Sequence, residues 1–426
     1  MRCKWCFLIG FLIVICVANA QNQLPSVTVK DVPMTKLRID PTYARGGRAS
    51  QVFDTVIYTP LETREDVVVG FTYNFQISEH YFVFFDYDLK GIVVFDKNGK
   101  YKTSITKLPL ANWDKQRDGG KLNAFYLDKV SERIFVLYND KLTDNYQWLA
   151  IFSPDGRLLK NRKISNTTRD MSVRFLQIDS TGEHSLAICH YNDPKENHNP
   201  ILATNRFYIV KDLDSIQAAM VPFDPKDPFL KGDWLKNYYA SQSVNGKIIW
   251  FRHFDYTVYQ SDEKGKLSKY QILLPLNLSI DSAFYRDTML LKSFNKANAY
   301  FEGSHAKEVQ VFDNIAESKN WLVFQLKTNA SPRPIVMYNV VNQHLFDLNK
   351  VSSDSSSYFL PLRSQRTDAL DDGSIYNLIP AYELFKVKDS RDDAPWDRNP
   401  VLKEYFLKGD RKSNPVIVQL KLKSDL

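Results

Sequence analysis

Residues 81–105, YFVFFDYDLKGIVVFDKNGKYKTSI, contain the clearest indication of the fold. The stretch holds two short apolar runs, Tyr81 to Phe85 and Gly91 to Phe95, followed by a third strand-like run from Tyr101 to Ile105. β-Branched and aromatic residues dominate these runs, and such residues favour strands over helices. The Asn98-Gly99 pair between the second and third runs is typical of the tight turn between two antiparallel strands. The stretch therefore predicts three neighbouring antiparallel strands.

The same pattern of paired apolar runs recurs four more times along the chain. The further pairs are residues 134–138 with 148–152, 185–189 with 206–210, 247–251 with 256–260, and 321–326 with 334–338. Phe95 and Phe152 hold equivalent positions 57 residues apart, and Tyr208 follows 56 residues later. A repeating unit of this length with four antiparallel strands is typical of a β-propeller blade. The longer step of 79 residues from Tyr259 to Tyr338 predicts an insertion near residues 277–320.

These pairs predict five blades, and two later runs, Tyr358 to Leu362 and Pro415 to Leu422, indicate a sixth. The run Val52 to Tyr58 precedes the first blade, and we expect it to join the last blade and close the ring, since an open ring would expose a sheet edge. Ile375 to Val387 has apolar residues at helical spacing. The predicted fold is an all-β, six-bladed β-propeller of four-stranded antiparallel blades, with one short C-terminal helix over that segment.

The first twenty residues have the layout of a secretory signal peptide. Arg2 and Lys4 precede an apolar run from Phe7 to Val17, and small residues stand at Ala18 and Ala20, which favours cleavage after Ala20. An uncleaved membrane anchor is less favoured because the run is shorter than the ~20 residues that span a bilayer. Attachment of a lipid at Cys16 is also less favoured, because bulky residues precede it.

This layout divides the chain into three expected parts. They are a signal peptide over residues 1–20, an N-terminal extension over 21–48 that either wraps the fold or is partly disordered, and the propeller over 49–426. No later stretch is apolar enough for a transmembrane segment. The expected location is therefore the periplasm or the extracellular space.

Cysteine content and charge exclude some classes of protein. Only Cys189 remains after the signal peptide is removed, so no intramolecular disulfide can form, and its apolar surroundings favour a buried thiol over a nucleophile. Without Arg2 and Lys4, 54 of the 56 Lys and Arg residues remain, and the 49 Asp and Glu residues leave a net charge of +5. Basic clusters such as Lys160-Asn161-Arg162-Lys163 are isolated, which argues against a nucleic-acid partner and favours solvated surface.

Three motifs resemble those of the exported six-bladed β-propeller proteins of Bacteroidetes. Tyr58 to Thr63 (YTPLET) resembles the opening segment of that family, residues 81–105 resemble its first blade, and Asn414 to Lys421 (NPVIVQLK) resembles its last strand. The resemblance implies an exported propeller, in a family whose members are mostly of unknown function, and it supplies no catalytic residues. Leu108 to Gly120 departs from the Gly/Pro-rich segment that many members carry after the first blade. A ligand site shared at that connection is therefore in doubt.

Two stretches supply candidate ligand-binding residues. Trp250 to Tyr256 (WFRHFDY) combines aromatic and ionisable side chains where one strand ends and the next begins, and the stretch after Phe85 is analogous. Such groups can bind a sugar or a carboxylate, whereas the alternative is an interblade salt bridge with ring packing. The candidates are Arg252, His253, Asp255, Tyr256, Asp86 and Tyr87.

No cofactor and no metal site is predicted. His190, Asp193, Glu196 and His198 form a polar cluster, but their spacing fits no defined zinc motif, and a solvated loop explains them. No nucleophile elbow, HExxH motif, phosphate-binding loop or paired CxxC is found in the sequence. Catalytic residues therefore stay unknown.

The leading hypothesis is a non-catalytic binding or scaffold protein of the cell envelope, whose ligand is a glycan, a peptide or a protein. The alternative is a carbohydrate-active hydrolase or lyase with its site at the mouth of the propeller channel. A third hypothesis, a eukaryotic secreted propeller of the royal-jelly type, agrees less well with the motifs. An enzyme predicts ionisable side chains from several blades meeting at one mouth of the channel. A binding protein predicts an exposed aromatic or apolar patch.

Overall fold

A computed structural model describes most of the chain. The described residues are 26–27, 32–110, 125–138, 148–164, 177–178, 184–189, 205–211, 215–222, 239–242, 248–261, 266–364, 369–371, 373–424 and 426.

The described strands form six sheets, each built on four antiparallel strands in meander order. We number the sheets along the chain. Their strands are Thr72–Ile77, Tyr81–Asp86, Gly91–Asp96 and Tyr101–Ile105 in sheet 1; Phe125–Leu127, Ile134–Tyr138, Trp148–Phe152 and Leu158–Lys163 in sheet 2; Gln177–Ile178, His184–Cys189, Asn205–Lys211 and Ser215–Pro222 in sheet 3; Tyr239–Gln242, Ile248–Phe251, Thr257–Ser261 and Leu267–Leu273 in sheet 4; Val311–Ser318, Trp321–Lys327, Ile335–Asn339 and Leu345–Ser352 in sheet 5; and Ala369–Asp371, Ser374–Ile379, Val416–Leu422 and Phe53–Pro60 in sheet 6.

Sheets 4, 5, 6, 1 and 2 pack face to face on one another in this order. This stacking makes the fold a β-propeller of four-stranded antiparallel blades. In the strand Tyr81–Asp86, Val83 and Phe85 point into a core shared with sheet 2, whereas Phe82 and Phe84 point into a core shared with sheet 6. The first strand of sheet 1 contacts the first strands of sheets 2 and 6, so these strands are innermost. The apolar run YFVFF lacks polar alternation because both of its faces are buried.

The predicted closure between the two ends of the chain is confirmed. Phe53–Pro60 pairs antiparallel with Val416–Leu422 as the outer strand of sheet 6. The buried side chain of Asn414 fastens the connection that follows: its Oδ1 accepts from Val69 N at 2.8 Å, and its Nδ2 donates to the carbonyl oxygens of Glu62 and Val67, each at 2.8 Å. The two motifs at the chain ends therefore meet in space.

The N-terminal extension wraps the outside of the propeller. Its strands Ser26–Val27, Met34–Arg38 and Arg45–Arg48 add in parallel to the outer strands of sheets 3, 4 and 5. We call these three strands the belt. Leu37 and Ile39 anchor it, since both are buried in the core between sheets 4 and 5. A side chain at Gly46 would come within 2.3 Å of the carbonyl oxygen of Lys350, so this close approach requires glycine.

The prediction of a short C-terminal helix over Ile375 to Val387 is confirmed for its second half, where Ala381–Asp389 is a helix, and is wrong for its first half. Ser374–Ile379 is a central strand, and Pro380 ends it because proline cannot donate to a sheet. Both faces of this strand are buried, so apolar residues need not alternate with polar ones. The helical spacing of Ile375, Leu378 and Ile379 is a coincidence within this buried strand. The described helices are Ala49–Val52, Ser282–Arg286, Thr288–Lys292, Phe294–Tyr300, Ala381–Asp389 and Pro400–Lys408, with 3₁₀ turns at Pro41–Tyr43, Gly303–His305, Ser355–Ser357 and Pro395–Arg398.

The strand predicted over Tyr358 to Leu362 is also wrong. Tyr358 and Phe359 have positive φ angles of 54° and 58°, so the chain turns here after the 3₁₀ turn at Ser355–Ser357.

Three helices, which we call the helical insertion (residues 282–300), lie within the insertion that the long repeat step predicts. None of the helices in the described part of the chain is long and apolar enough to cross a membrane.

Candidate functional site

The meander order gives the propeller two different faces. Turns from first to second and from third to fourth strand lie on one face, the turn face, and they are short, as at residues 78–80 and 97–100. The other connections lie on the opposite face, the loop face. They include residues 61–71, 274–310, 328–334 and 380–415, so the long insertions share this face. Because loops carried by a rigid scaffold usually hold binding groups, the loop face is where a ligand site is expected.

Asp86 organises the loop face of sheet 1. Its side chain is fully buried and accepts from the backbone N–H groups of Gly70 at 2.7 Å, Asp88 at 2.9 Å and Leu89 at 2.8 Å. Burial raises the pKa of the Asp86 carboxyl, while these three hydrogen bonds oppose the rise. Asp86 therefore fixes the loop that carries Tyr87 rather than offering its own oxygens to a ligand.

Tyr87 belongs to an aromatic cluster at the loop-face end of sheet 1, beside the core shared with sheet 2. Its ring centroid lies 5.2 Å from that of Phe71, 5.5 Å from that of Phe85 and 6.4 Å from that of Tyr73. Phe71 is 59% exposed and directly precedes the innermost strand of sheet 1. We call Phe71, Tyr73 and Tyr87 the aromatic platform.

The neighbouring carboxylate of Asp88 lies close to the backbone beside the platform. Its Oδ2 accepts from Phe71 N at 3.3 Å, and Asp88 is exposed. A Cβ atom at Gly70 would lie 1.7 Å from that oxygen, so only glycine permits this approach. The platform thus combines exposed aromatic surface with a hydrogen-bond acceptor.

The second predicted group lies beneath the helical insertion. Arg252 is buried and its Nε donates to Asp255 Oδ2 at 2.8 Å, while Asp255 Oδ1 accepts from Thr257 N at 2.9 Å. Tyr256 Oη donates to the carbonyl of Val309 and accepts from Ile280 N, both at 2.9 Å. These contacts join sheet 4 to the connection that leads to sheet 5.

His253 sits in the same covered turn. Burial, reinforced by the positive charge of Lys327, lowers the pKa of His253 to about 4. The next residue, Phe254, stacks on Phe301 with ring centroids 5.1 Å apart and an angle of 2°. Phe254 and Tyr256 thus pack against the insertion. The role of Arg252, His253, Asp255 and Tyr256 in ligand binding stays a prediction.

Ionisable side chains from three sheets meet on the turn face. Lys129 Nζ of sheet 2 donates to Asp371 Oδ1 of sheet 6 at 2.6 Å, although sheet 1 packs between those two sheets. Lys97 Nζ of sheet 1 lies 4.3 Å from the ring centroid of Phe82, and burial lowers the pKa of Lys97 to about 8. Asp371 is therefore already neutralised by an ion pair.

The predicted polar cluster at His190, Asp193, Glu196 and His198 lies outside the described residues, and so does the side chain of Cys189. Within the part of the chain that the structure does describe, no three His, Cys, Asp or Glu side chains are grouped to hold a metal ion.

Phe71 and Tyr73 were not among the residues predicted for the site. The available signal was their alternate spacing at the start of the first strand, FTY at 71–73, beside the predicted Asp86-Tyr87 pair. Phe71 and Tyr73 come close to Tyr87 because the hairpin of sheet 1 places Tyr73 opposite Phe85.

The comparisons agree with the fold. Residues 37–108 match the model of the family DUF5128, described as a 6-bladed β-propeller. A candidate exported protein from Bacteroides fragilis shares the fold with a TM-score of 0.65 at 12% identity, over 92% of this chain and 100% of that one. The matched family segment contains two of the motifs on which the sequence resemblance rests. The predicted resemblance to exported propellers of Bacteroidetes is confirmed.

Two further solved structures are more distant. A member of the DUF4221 family from Bacteroides vulgatus has a TM-score of 0.42 at 13% identity, over 87% of this chain and 97% of that one. A protein of unknown function from Bacteroides caccae has a TM-score of 0.36 at 8% identity, over 65% of this chain and 81% of that one. No curated protein matches this sequence.

Proposed function

We propose that this chain is an exported, six-bladed propeller that binds its ligand through the aromatic platform and acts as a binding or scaffold protein of the cell envelope. The ligand is a glycan, a peptide or a protein segment that covers exposed aromatic surface. The observation that carries the proposal is the exposed ring of Phe71 at the loop-face end of sheet 1, packed on the anchored ring of Tyr87.

Local rigidity also supports a binding role. Asp86 holds three backbone N–H groups around Tyr87, so the platform is organised before a ligand arrives. Preorganised groups lose little conformational entropy on binding, which favours affinity.

The proposal is tested with arrays of glycans and of peptides, probed with the fluorescently labelled mature protein. We expect Phe71→Ala to weaken binding of the strongest ligand about tenfold or more, since an exposed aromatic anchor typically contributes about 2 kcal/mol. Val130→Ala, a truncation of a 79% exposed side chain on the turn face, is the matched control and should bind like the wild type. Equal binding by both variants, or a larger loss in the control, would refute the assignment of the site.

Export is part of the proposal and has its own test. The signal-like first twenty residues and the candidate exported protein that shares the fold both support it. N-terminal sequencing of the protein recovered from outside the cytoplasm should begin at Gln21. A chain that retains Met1 and stays in the cytoplasm would contradict this part without touching the platform assignment.

A further inference from the structure

The belt covers the outer edges of three sheets. On sheet 4, Lys269 N donates to the carbonyl of Pro33 at 2.9 Å, and Ile39 N donates to the carbonyl of Leu273 at 3.0 Å, so the belt satisfies backbone groups of the outer strand. On sheet 5, Lys350 Nζ donates to the carbonyl of Ala44 at 2.9 Å. Unpaired backbone groups on an edge strand otherwise invite pairing with another chain.

The outer strands of sheets 6 and 1 have other neighbours. The helix Pro400–Lys408 contacts the outer strand of sheet 6. At sheet 1, Glu62 N donates to the carbonyl of Gly99 at 2.8 Å, and Glu62 Oε2 accepts from Tyr101 N at 3.0 Å. The chain thus contacts the outer edges of these two sheets as well.

The outer strand of sheet 2 is different. Leu158–Lys163 pairs with Trp148–Phe152 on its inner side, and no strand of the described chain pairs with its outer edge. It is six residues long and contains no buried residue, and the consecutive Leu158 and Leu159 are 44% and 41% exposed. The belt strands, which form the outer edges of sheets 3, 4 and 5, are shorter, with two, five and four residues. Short edge strands pair poorly with other chains.

The edge also carries a one-sided charge. The strand Leu158–Lys163 contains three basic side chains and no acidic one, while Arg157 just before it interacts with Asp155. Lys160 and Lys163 are both exposed, so a strand laid along this edge would meet positive charge. An acidic strand would be attracted, whereas a basic strand such as Met34–Arg38 of the belt would be repelled.

We propose that the outer edge of Leu158–Lys163 is a docking site for an extended, acidic segment of a partner protein. The segment adds to sheet 2 as a fifth strand, parallel to Leu158–Lys163, because all three belt strands run parallel to the strands that they cover. Backbone hydrogen bonds supply affinity, and the basic side chains select the partner. The belt shows that this propeller accepts such a strand at its rim.

The experiment uses two fluorescent peptides with the mature protein. One alternates Glu and Val over about eight residues, a usual strand length. The other replaces each Val by Pro, which keeps the charge but removes every second backbone donor and disfavours pairing within a sheet. We expect the Glu/Val peptide to bind at least about tenfold more tightly by fluorescence anisotropy, and to slow hydrogen exchange at the amides of residues 158–163.

Matched charge reversals locate the site. Lys160→Glu with Lys163→Glu should weaken the Glu/Val peptide about tenfold or more, since attraction becomes repulsion. Lys36→Glu with Arg38→Glu makes the same change of charge on exposed positions of the belt and should leave affinity within about twofold. Circular dichroism confirms that both variants fold.

Several outcomes overturn the proposal. Equal affinity for the two peptides would show attraction by charge alone, and no binding at about 1 mM would show that the lysines only guard the edge against pairing. Slower hydrogen exchange at amides other than those of residues 158–163 would place the bound peptide elsewhere on the protein. Self-association of the protein through residues 158–163 would assign the edge to a second copy of this chain.

Discussion

Asn414 is the side chain on which closure of the ring should depend most. It is 1% exposed, and its amide group bonds three backbone groups of residues 62–69, which connect sheet 6 to sheet 1. Asn414→Ala removes all three bonds. A buried polar group left without a partner costs about 1–3 kcal/mol, and at least two of these groups, Val69 N–H and the Val67 carbonyl, are buried.

We expect Asn414→Ala to lower the free energy of unfolding by about 3 kcal/mol, since water entering the cavity offsets part of the loss. Urea denaturation measures this change. Hydrogen exchange gives a local reading: the amide of Val69, which donates to Asn414, should exchange about a hundredfold faster, because 1.4 kcal/mol corresponds to about a factor of ten.

Two variants sharpen the test. Asn414→Asp keeps the acceptor for Val69 but turns a carboxylate towards the carbonyl oxygens of Glu62 and Val67, so it should destabilise at least as much as alanine. Asn298→Ala is the control, since Asn298 is exposed on the helix Phe294–Tyr300, and its free energy of unfolding should stay within about 0.5 kcal/mol of wild type. A change below about 0.5 kcal/mol for Asn414→Ala, with unaltered exchange at Val69, would refute the reasoning.

Two further predictions concern pH. Because the pKa of His253 falls from 6.5 to about 4 on folding, the unfolded chain binds more protons between these values, and the free energy of unfolding should fall as pH drops from 6.5 to 4. In urea denaturation, the free energy of unfolding of His253→Gln should fall less steeply with pH than that of the wild type. Equal pH dependence of the variant and the wild type would contradict this. The pKa of Lys97 falls from 10.5 to about 8, so wild-type stability relative to Lys97→Met should rise between pH 8 and 10.5, and a difference independent of pH would contradict the assignment.

The blades were predictable because their signals are local. The runs at residues 134–138 and 148–152 became strands with those same bounds, and the Asn98-Gly99 turn joins the strands that flank it. The misassignment of residues 375–379 has the opposite origin. A strand buried on both faces shows no alternation, so its apolar residues can fall at helical spacing by chance.

The belt was beyond the reach of pattern analysis. The strand Met34–Arg38 buries only Leu37, so it carries no period of its own, and its place is set by backbone bonds to the edge of sheet 4. The candidate site was also predictable only in part. Asp86 and Tyr87 were recognised as chemically suited side chains, whereas Phe71 joined them only through the hairpin of sheet 1.

The strands, their turns and the repeat could be predicted from the sequence, since each depends on residues close together or on a repeated pattern. The pairing of the two end motifs could be predicted because an open ring would expose a sheet edge. The tertiary structure alone decided which side chains are covered and which are exposed. Phe254 and Tyr256 pack against helices some thirty residues further on, and Leu158 is exposed in a strand whose outer edge no described strand covers. Burial is a property of neighbours in space, and distant segments supply those neighbours.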